Sequence, residues 1–258
     1  MSIEELFRDG YTVIPNLIDP DVCDRMKTEL ASRCNDELPY NYNPYHKYLR
    51  LGDDIDRFPE EIVCNPKIHG LLKEVFGTGY YMYSYMANVM THDIDGQGHP
   101  VCEEQPFHMD CSHFHPVRTI KMFGSPGPPI QIIVNTYLQD ADETNGSLEM
   151  VPGSHLWTDF EMGEDGEIDR KYIPRTVRCN YPKGSVIIRD KRTWHRGTKI
   201  SSEQISTHSG SLNRYMVGTS YSLNWYQLGK LRFKRECEPL LSGAPFSTWN
   251  IEYDDQTQ

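Results

Sequence analysis

The sequence predicts an α+β chain whose larger part is a β-sandwich or barrel, and three observations carry that expectation. Helix-like apolar spacing is confined to roughly the first 77 residues. Behind it run short aromatic and β-branched segments punctuated by Gly, Pro and Asn, the pattern of many strands joined by turns. Nothing in the 258 residues resembles a linker, a repeat or a low-complexity tract, so a single domain over residues 1–258 is expected.

Taken in order, "GYTVIPNLI" is rich in alternating β-branched residues and reads as a strand. Asp19 and Pro20 then supply an N-cap and a first-turn proline for a helix over "DPDVCDRMKTELASRC", with Val22, Met26 and Leu30 on one packing face. A second helix over "NPKIHGLLKEVFG" closes on Gly77, and the strand pattern begins at "YYMYSYMANVM". The most regular strand runs from Ile130 to Leu138. Alternation puts Ile132, Val134, Thr136 and Leu138 on a core face and Gln131, Ile133, Asn135 and Tyr137 on the other. Two readings of that second face stand level: it meets water, or it lines a ligand pocket that satisfies its amides.

Composition excludes several function classes. With 26 Lys and Arg against 37 Asp and Glu, the net charge is -11, which repels phosphate-rich partners. Neither nucleic acid nor a membrane is expected as a partner, although a local pocket can depart from that average. The 7 cysteines contain no CxxC pair, so neither a disulfide framework nor a zinc knuckle is suggested, and a reducing, cytoplasmic setting is expected. The start "MSIEELFRDG" has no leader-like pattern and no stretch is long enough to span a bilayer. Composition sets no oligomeric state.

Chemistry concentrates in "EEQPFHMDCSHFHPV", residues 103–117, in a chain with only 10 histidines. On a strand His108 and Asp110 point the same way, so an imidazole and a carboxylate can face one ion. A core histidine is the competing explanation for His108. Downstream, "PKGSVIIRDKRTWHRG" reads as a turn, an apolar strand and then His195, which a neighbouring strand end can bring to the pair. Two histidines and one carboxylate on one side of an ion leave the other side open, as non-haem Fe(II) oxygenases require. His113 and His115 are expected at the substrate mouth, because further ligands there would crowd the open positions. His155 is expected to tie down a loop, and Trp157, Trp194 and Trp225 to pack.

"GYTVIPNLIDPDVCDRM", "FHMD", "LQDADETNGSLEMVPGSH" and "GSVIIRDKRTWHRGT" occur in an order that resembles the phytanoyl-CoA dioxygenase family, from about residue 8 to about residue 225. The resemblance implies a double-stranded β-helix: a helical N-terminal part over about 1–77, a β-helix core over about 80–226 and a C-terminal extension over about 227–258. It implies an Fe(II)- and 2-oxoglutarate-dependent oxygenase that consumes O2, releases succinate and CO2, and holds iron with His108, Asp110 and His195. Hydroxylation is the default outcome, and the carboxylate of Asp110 argues against the halogenating relatives.

The distal carboxylate of 2-oxoglutarate needs a cation, and an arginine fork suits it better than lysine. Arg214 is the expected anchor, 19 residues beyond His195 (214 minus 195), with "KISSEQISTHSGS" as a lengthened loop. Arg196 is the rival, disfavoured because strand neighbours face opposite ways. Thr198, Asn135, Asn88 and Gln131 complete the expected cosubstrate contacts. A CoA thioester is a poor fit to this charge balance, so the expected substrate is a small polar metabolite or natural product. The alternative is a zinc-loaded or inactive binding module on the same fold.

Overall fold

The computed structural model describes residues 2–34, 38–40, 42–50, 60–111, 126–157, 173, 175–207, 212–226, 228, 231–235, 238–241 and 251–254. Local signals start the chain as expected. Helix α1, Ile3–Asp9, opens with a reciprocal capping box between Ser2 and Glu5 and ends at Gly10, whose φ of 84° suits glycine. Strand β1, Tyr11–Ile14, leads to helix α2, Pro20–Arg33, where the Asp19 carboxylate accepts from the Asp21 N–H at 2.8 Å and Pro20 fills the first turn. Val22, Met26 and Leu30 are its buried stripe. After strand β2, His46–Arg50, and the single turn α3, Glu60–Val63, helix α4 spans Pro66–Phe76. Asn65 caps it, and the Gly77 N–H returns to Lys73 O at 2.8 Å.

The remaining strands build two antiparallel sheets. Strand β3, Tyr80–Met90, is followed by the short pair β4, Asp93–Ile94, and β5, Pro100–Val101, and then by β6, Gln131–Tyr137. Strands β7, Leu148–Met150, and β8, Val177–Cys179, precede β9, Val186–Asp190, β10, His195–Gly197, and β11, Arg214–Leu223. The main sheet has the order β1-β9-β6-β11-β3-β2 and the smaller one β10-β7-β8. From β6 to β11 the chain passes back and forth between the sheets, which is the expected double-stranded β-helix.

The segment up to residue 77 holds the strand expected at "GYTVIPNLI" and a second one, β2, that was not expected. β1 pairs with β9 and β2 with β3, so both complete the main sheet that the later strands begin. In the C-terminal extension, Leu231–Lys234 pairs in parallel with Ile251–Asp254. No helix among the described residues is long and apolar enough to cross a membrane.

The main sheet is covered on both faces. Ile132, Val134, Val186, Ile188 and Val217 pack against Leu6, Leu30, Ile68 and Leu72 from the helices. Burying each such side chain stabilises by about 1.5–3 kcal/mol. On the other face Tyr137, Ile187 and Met216 meet Leu148, Met150 and Cys179 of the small sheet. All seven residues of β6 are therefore buried. The water-facing reading of Gln131 and Asn135 fails, since they are 6% and 3% exposed.

Candidate metal centre

The segment carrying the HxD pair is not a regular strand. Only His108 pairs, in a bridge where its N–H donates to His195 O and His195 N–H donates to His108 O, both at 2.9 Å. The Asp110 N–H donates to Lys191 O at 3.0 Å, which fixes the carboxylate beside the histidines. The rings of His108 and His195 sit 4.3 Å apart. His108, Asp110 and His195 thus converge, each offering one ligand atom within 4.8 Å of the others.

Tautomers follow from the carbonyls around them, because a carbonyl only accepts. His108 Nδ1 donates to Pro106 O at 2.8 Å and His195 Nδ1 to Thr193 O at 3.0 Å, so both Nε2 lone pairs face Asp110. Those nitrogens lie 3.9 Å from Asp110 Oδ1 and 3.7 Å from Oδ2. Burial pushes both imidazole pKa values down and keeps the rings neutral. Burial, the largest single influence, pushes Asp110 upward, but Arg189 together with His195, Lys191 and His108 outweighs it and holds the carboxyl well below its usual range. Arg189 Nη2 donates to Asp110 Oδ2 at 2.6 Å from a side chain only 2% exposed. Two neutral imidazoles and an ionised carboxylate are the donor set of a facial metal site.

The triad opens on a cavity of about 210 Å³ between the sheets. Arg214, 3% exposed, lines it from the start of β11. Among the described residues its Nε and Nη1 have no hydrogen-bond partner. Burial lowers its pKa, the strain of a charge held without an anion beside it. Asn135 and Asn88 also line the cavity, and Asn135 Oδ1 is buried without a partner. Between these two amides lies Gly218, where a Cβ would meet Asn135 Nδ2 at 3.4 Å and Asn88 Nδ2 at 3.5 Å. The floor is left open by the absence of that side chain.

Other expected residues stand elsewhere. Thr198 does not face the cavity: its hydroxyl donates to Ser147 O and accepts from Arg178 Nη2, each at 2.6 Å. The physical reason is strand alternation. His195 and Gly197 share the cavity side, so Arg196 and Thr198 fall on the other. Arg196 Nε donates to Glu149 Oε2 at 2.7 Å, and its guanidinium lies over the Phe107 ring. Gln131 sits one layer back, donating to the Tyr83 hydroxyl at 3.1 Å. His155 Nε2 donates to Phe7 O at 3.0 Å and ties α1 to its loop. Trp194 is buried, whereas Trp225 is 65% exposed with its ring tilted against Tyr226, centroids 6.0 Å apart. His113 and His115 lie outside the described residues.

Among the cavity residues that sequence reasoning missed are His46, Gln105, Arg189 and Lys191. Burial pushes the His46 imidazole down to about 3, and its Nε2 donates to Glu103 O at 2.9 Å. A Cβ on Gly197 would come within 2.8 Å of His46 and 2.9 Å of Gln105, so glycine is what lets both approach. For Arg189 and Lys191 a signal existed: cations in alternate positions running from "VII" toward the distal histidine.

A family model described as phytanoyl-CoA dioxygenase matches residues 6–207. "Dioxygenase andF" of Emericella variicolor is 24% identical over 210 residues, covering 75% of this chain and 66% of that protein. "L-proline trans-4-hydroxylase" of Streptomyces griseoviridis is 25% identical over 152 residues, covering 57% and 52%. The chain thus spans two thirds or less of these curated relatives. The epimerase SnoN, solved with Fe3+, alpha ketoglutarate and nogalamycin RO, superposes with a TM-score of 0.60 at 16% identity over 85% of this chain and 81% of that one. HygX from Streptomyces hygroscopicus, solved with nickel, 2-oxoglutarate and hygromycin B, gives 0.59 at 14% over 90% and 91%. At these identities the likeness shows a shared fold.

Proposed function

Because the chain belongs to the phytanoyl-CoA dioxygenase family, iron- and 2-oxoglutarate-dependent oxidoreductases, we propose that it hydroxylates an unactivated carbon of a small polar metabolite or natural product. His108, Asp110 and His195 hold Fe(II), and Arg214 holds the distal carboxylate of 2-oxoglutarate. With O2, iron and 2-oxoglutarate supply an oxidant and leave succinate and CO2. The protein's part is placement. The two Nδ1 donations orient the imidazoles, Arg189 keeps Asp110 ionised, and the second sheet walls the cavity from bulk water.

The observation that carries this reading is the Arg214 guanidinium buried in the same cavity as the triad, with Nε and Nη1 unpartnered among the described residues. A buried charge without a counter-ion is costly, and a carboxylate arriving with its iron-chelating end at the triad removes that cost. A zinc-loaded binding module leaves this arginine unexplained. Asn135, with its free amide oxygen, supports a polar ligand. The relative named for L-proline hydroxylation supports an amino-acid-like substrate and hydroxylation as the outcome.

The test is oxygen consumption with Fe(II) and 2-oxoglutarate across a library of amino-acid derivatives. The reading requires succinate to form in step with a product that carries one oxygen atom from labelled O2. Succinate formation that no chelator suppresses, or a product without the label, would overturn it.

A further inference from the structure

The cavity is more cationic than the chain around it. Lys47, Arg189, Lys191 and Arg214 line it, and Asp110 is the carboxylate among the lining residues. Arg189 is matched by Asp110, and on the proposed reading the distal carboxylate of 2-oxoglutarate matches Arg214. Lys191 is then the surplus cation beside the triad. In a protein of net charge -11, that surplus is local to the site.

Arg214 and the Lys191 group lie at different ends. Arg214 and Ser220 both line the cavity from β11, six positions apart (220 minus 214), about 20 Å along an extended strand. Ser220 is a side-chain hydrogen-bond partner of the Tyr83 hydroxyl, which accepts from Lys191 Nζ at 3.0 Å and from Gln131 Nε2 at 3.1 Å. The Lys191–Tyr83–Ser220 group therefore enters the cavity from the opposite end of β11 to Arg214. Lys191 is also pinned beside the metal ligands, its N–H donating to Gln131 O at 3.2 Å and its carbonyl accepting from Asp110.

The ammonium is incompletely used. Its stem lies over the Tyr83 ring, with Nζ 5.4 Å from the centroid, and the Tyr83 hydroxyl is its sole polar partner among the described residues. An ammonium has three donors, so two remain for a ligand in the cavity. The Tyr83 oxygen accepts from Lys191 and Gln131 and is also partnered by Ser220, so it holds the ammonium in place and leaves the ligand to Lys191. One cation held in this way suits a singly charged carboxylate.

We propose that Lys191, backed by Tyr83, anchors a carboxylate of the substrate, which is therefore a small carboxylic acid seated at the metal end of the cavity. This rests on the assignment of iron to the triad and of 2-oxoglutarate to Arg214.

The test uses the anaerobic protein saturated with Fe(II) and 2-oxoglutarate. It is titrated calorimetrically with small acids and their primary amides: L-proline and L-prolinamide, phenylacetate and phenylacetamide, and further matched pairs from the same library. At least one acid is expected to bind about tenfold or more tightly than its amide, and Lys191→Met is expected to erase that preference. Lys191→Arg is expected to restore part of it, and 2-oxoglutarate affinity is expected to stay within about threefold in both variants. Tyr83→Phe, which keeps the ring under the lysine stem, is expected to lower the preference less. The proposal is overturned by a preference that survives Lys191→Met, by tighter binding of the amides, by silence of every acid, or by loss of 2-oxoglutarate binding in Lys191→Met. Failure of the parent reading is visible earlier, because the wild type would then not take up 2-oxoglutarate before any acid is added.

Discussion

At the metal end of the cavity each ligand side chain is held by a second protein group, whereas at the Arg214 end the guanidinium has unpartnered nitrogens. His108 and His195 are oriented by the Pro106 and Thr193 carbonyls, and Asp110 by Arg189. Such outer contacts fix the geometry before an ion arrives. Arg214 is fixed in place by β11 but unsatisfied in charge. One end is organised to keep its ligand throughout turnover. On the proposed reading the other exchanges an anion each cycle, and the cost of the buried charge is relieved while 2-oxoglutarate is bound.

That contrast breaks most severely at the triad. His108→Ala, Asp110→Ala and His195→Ala are each expected to abolish turnover and to weaken iron binding by metal analysis, since each removes one of the three protein ligands of the open facial site. Full activity in any one of them would remove that residue from the metal.

Arg189→Met should strike the metal end in a different way. It leaves Asp110 buried without its partner, and the metal-free protein should lose about 2–3 kcal/mol in denaturant unfolding. This lies below the 3–5 kcal/mol of a fully dry pair because a quarter of the Asp110 side chain is accessible. Adding Fe(II) or Zn(II) should recover much of the loss, since the ion then supplies the positive charge. A loss unaffected by metal would mean that Arg189 acts through packing alone.

The smallest effects belong to residues on the far side of β10. Thr198→Val breaks the Ser147 and Arg178 hydrogen bonds and should cost about 1 kcal/mol of stability. The apparent constant for 2-oxoglutarate should move less than about threefold in this variant and in Arg196→Ala, because both side chains face away from the cavity. A large rise in either constant would show that the register of β10 is shifted by one residue.

How much of this was legible depended on the range of the signal. Asp19, Pro20 and Gly77 announce helix ends through neighbours a few residues away, and the structure keeps all three in those roles. The alternation in β6 separated the core face from the site face correctly, but not the fact that a second sheet closes over Asn135. That closure is a tertiary event with no local trace. Thr198 was expected at the site although the alternation that excludes Arg196 excludes it too. His46 lies in "YNYNPYHKYLR", where no periodicity or motif marks it, and reaches the cavity only because β2 pairs along β3. Arg189 and Lys191 sit at and just past the end of the strand read as apolar, and their alternate spacing became a cavity lining through the pairing of β9 with β6.

The central claim, that 2-oxoglutarate completes an unfinished charge pair at Arg214, is tested most directly by one titration. The Fe(II)-loaded protein is kept anaerobic, and the visible charge-transfer band is followed as 2-oxoglutarate is added to wild type, Arg214→Ala and Arg214→Lys. Truncating one partner of a desolvated ion pair costs on the order of 2–5 kcal/mol, so the alanine variant should bind 2-oxoglutarate at least tenfold more weakly with iron binding unchanged. Lysine should recover part of the loss, lacking the fork. A band that saturates at the same 2-oxoglutarate concentration in wild type and Arg214→Ala would contradict the account.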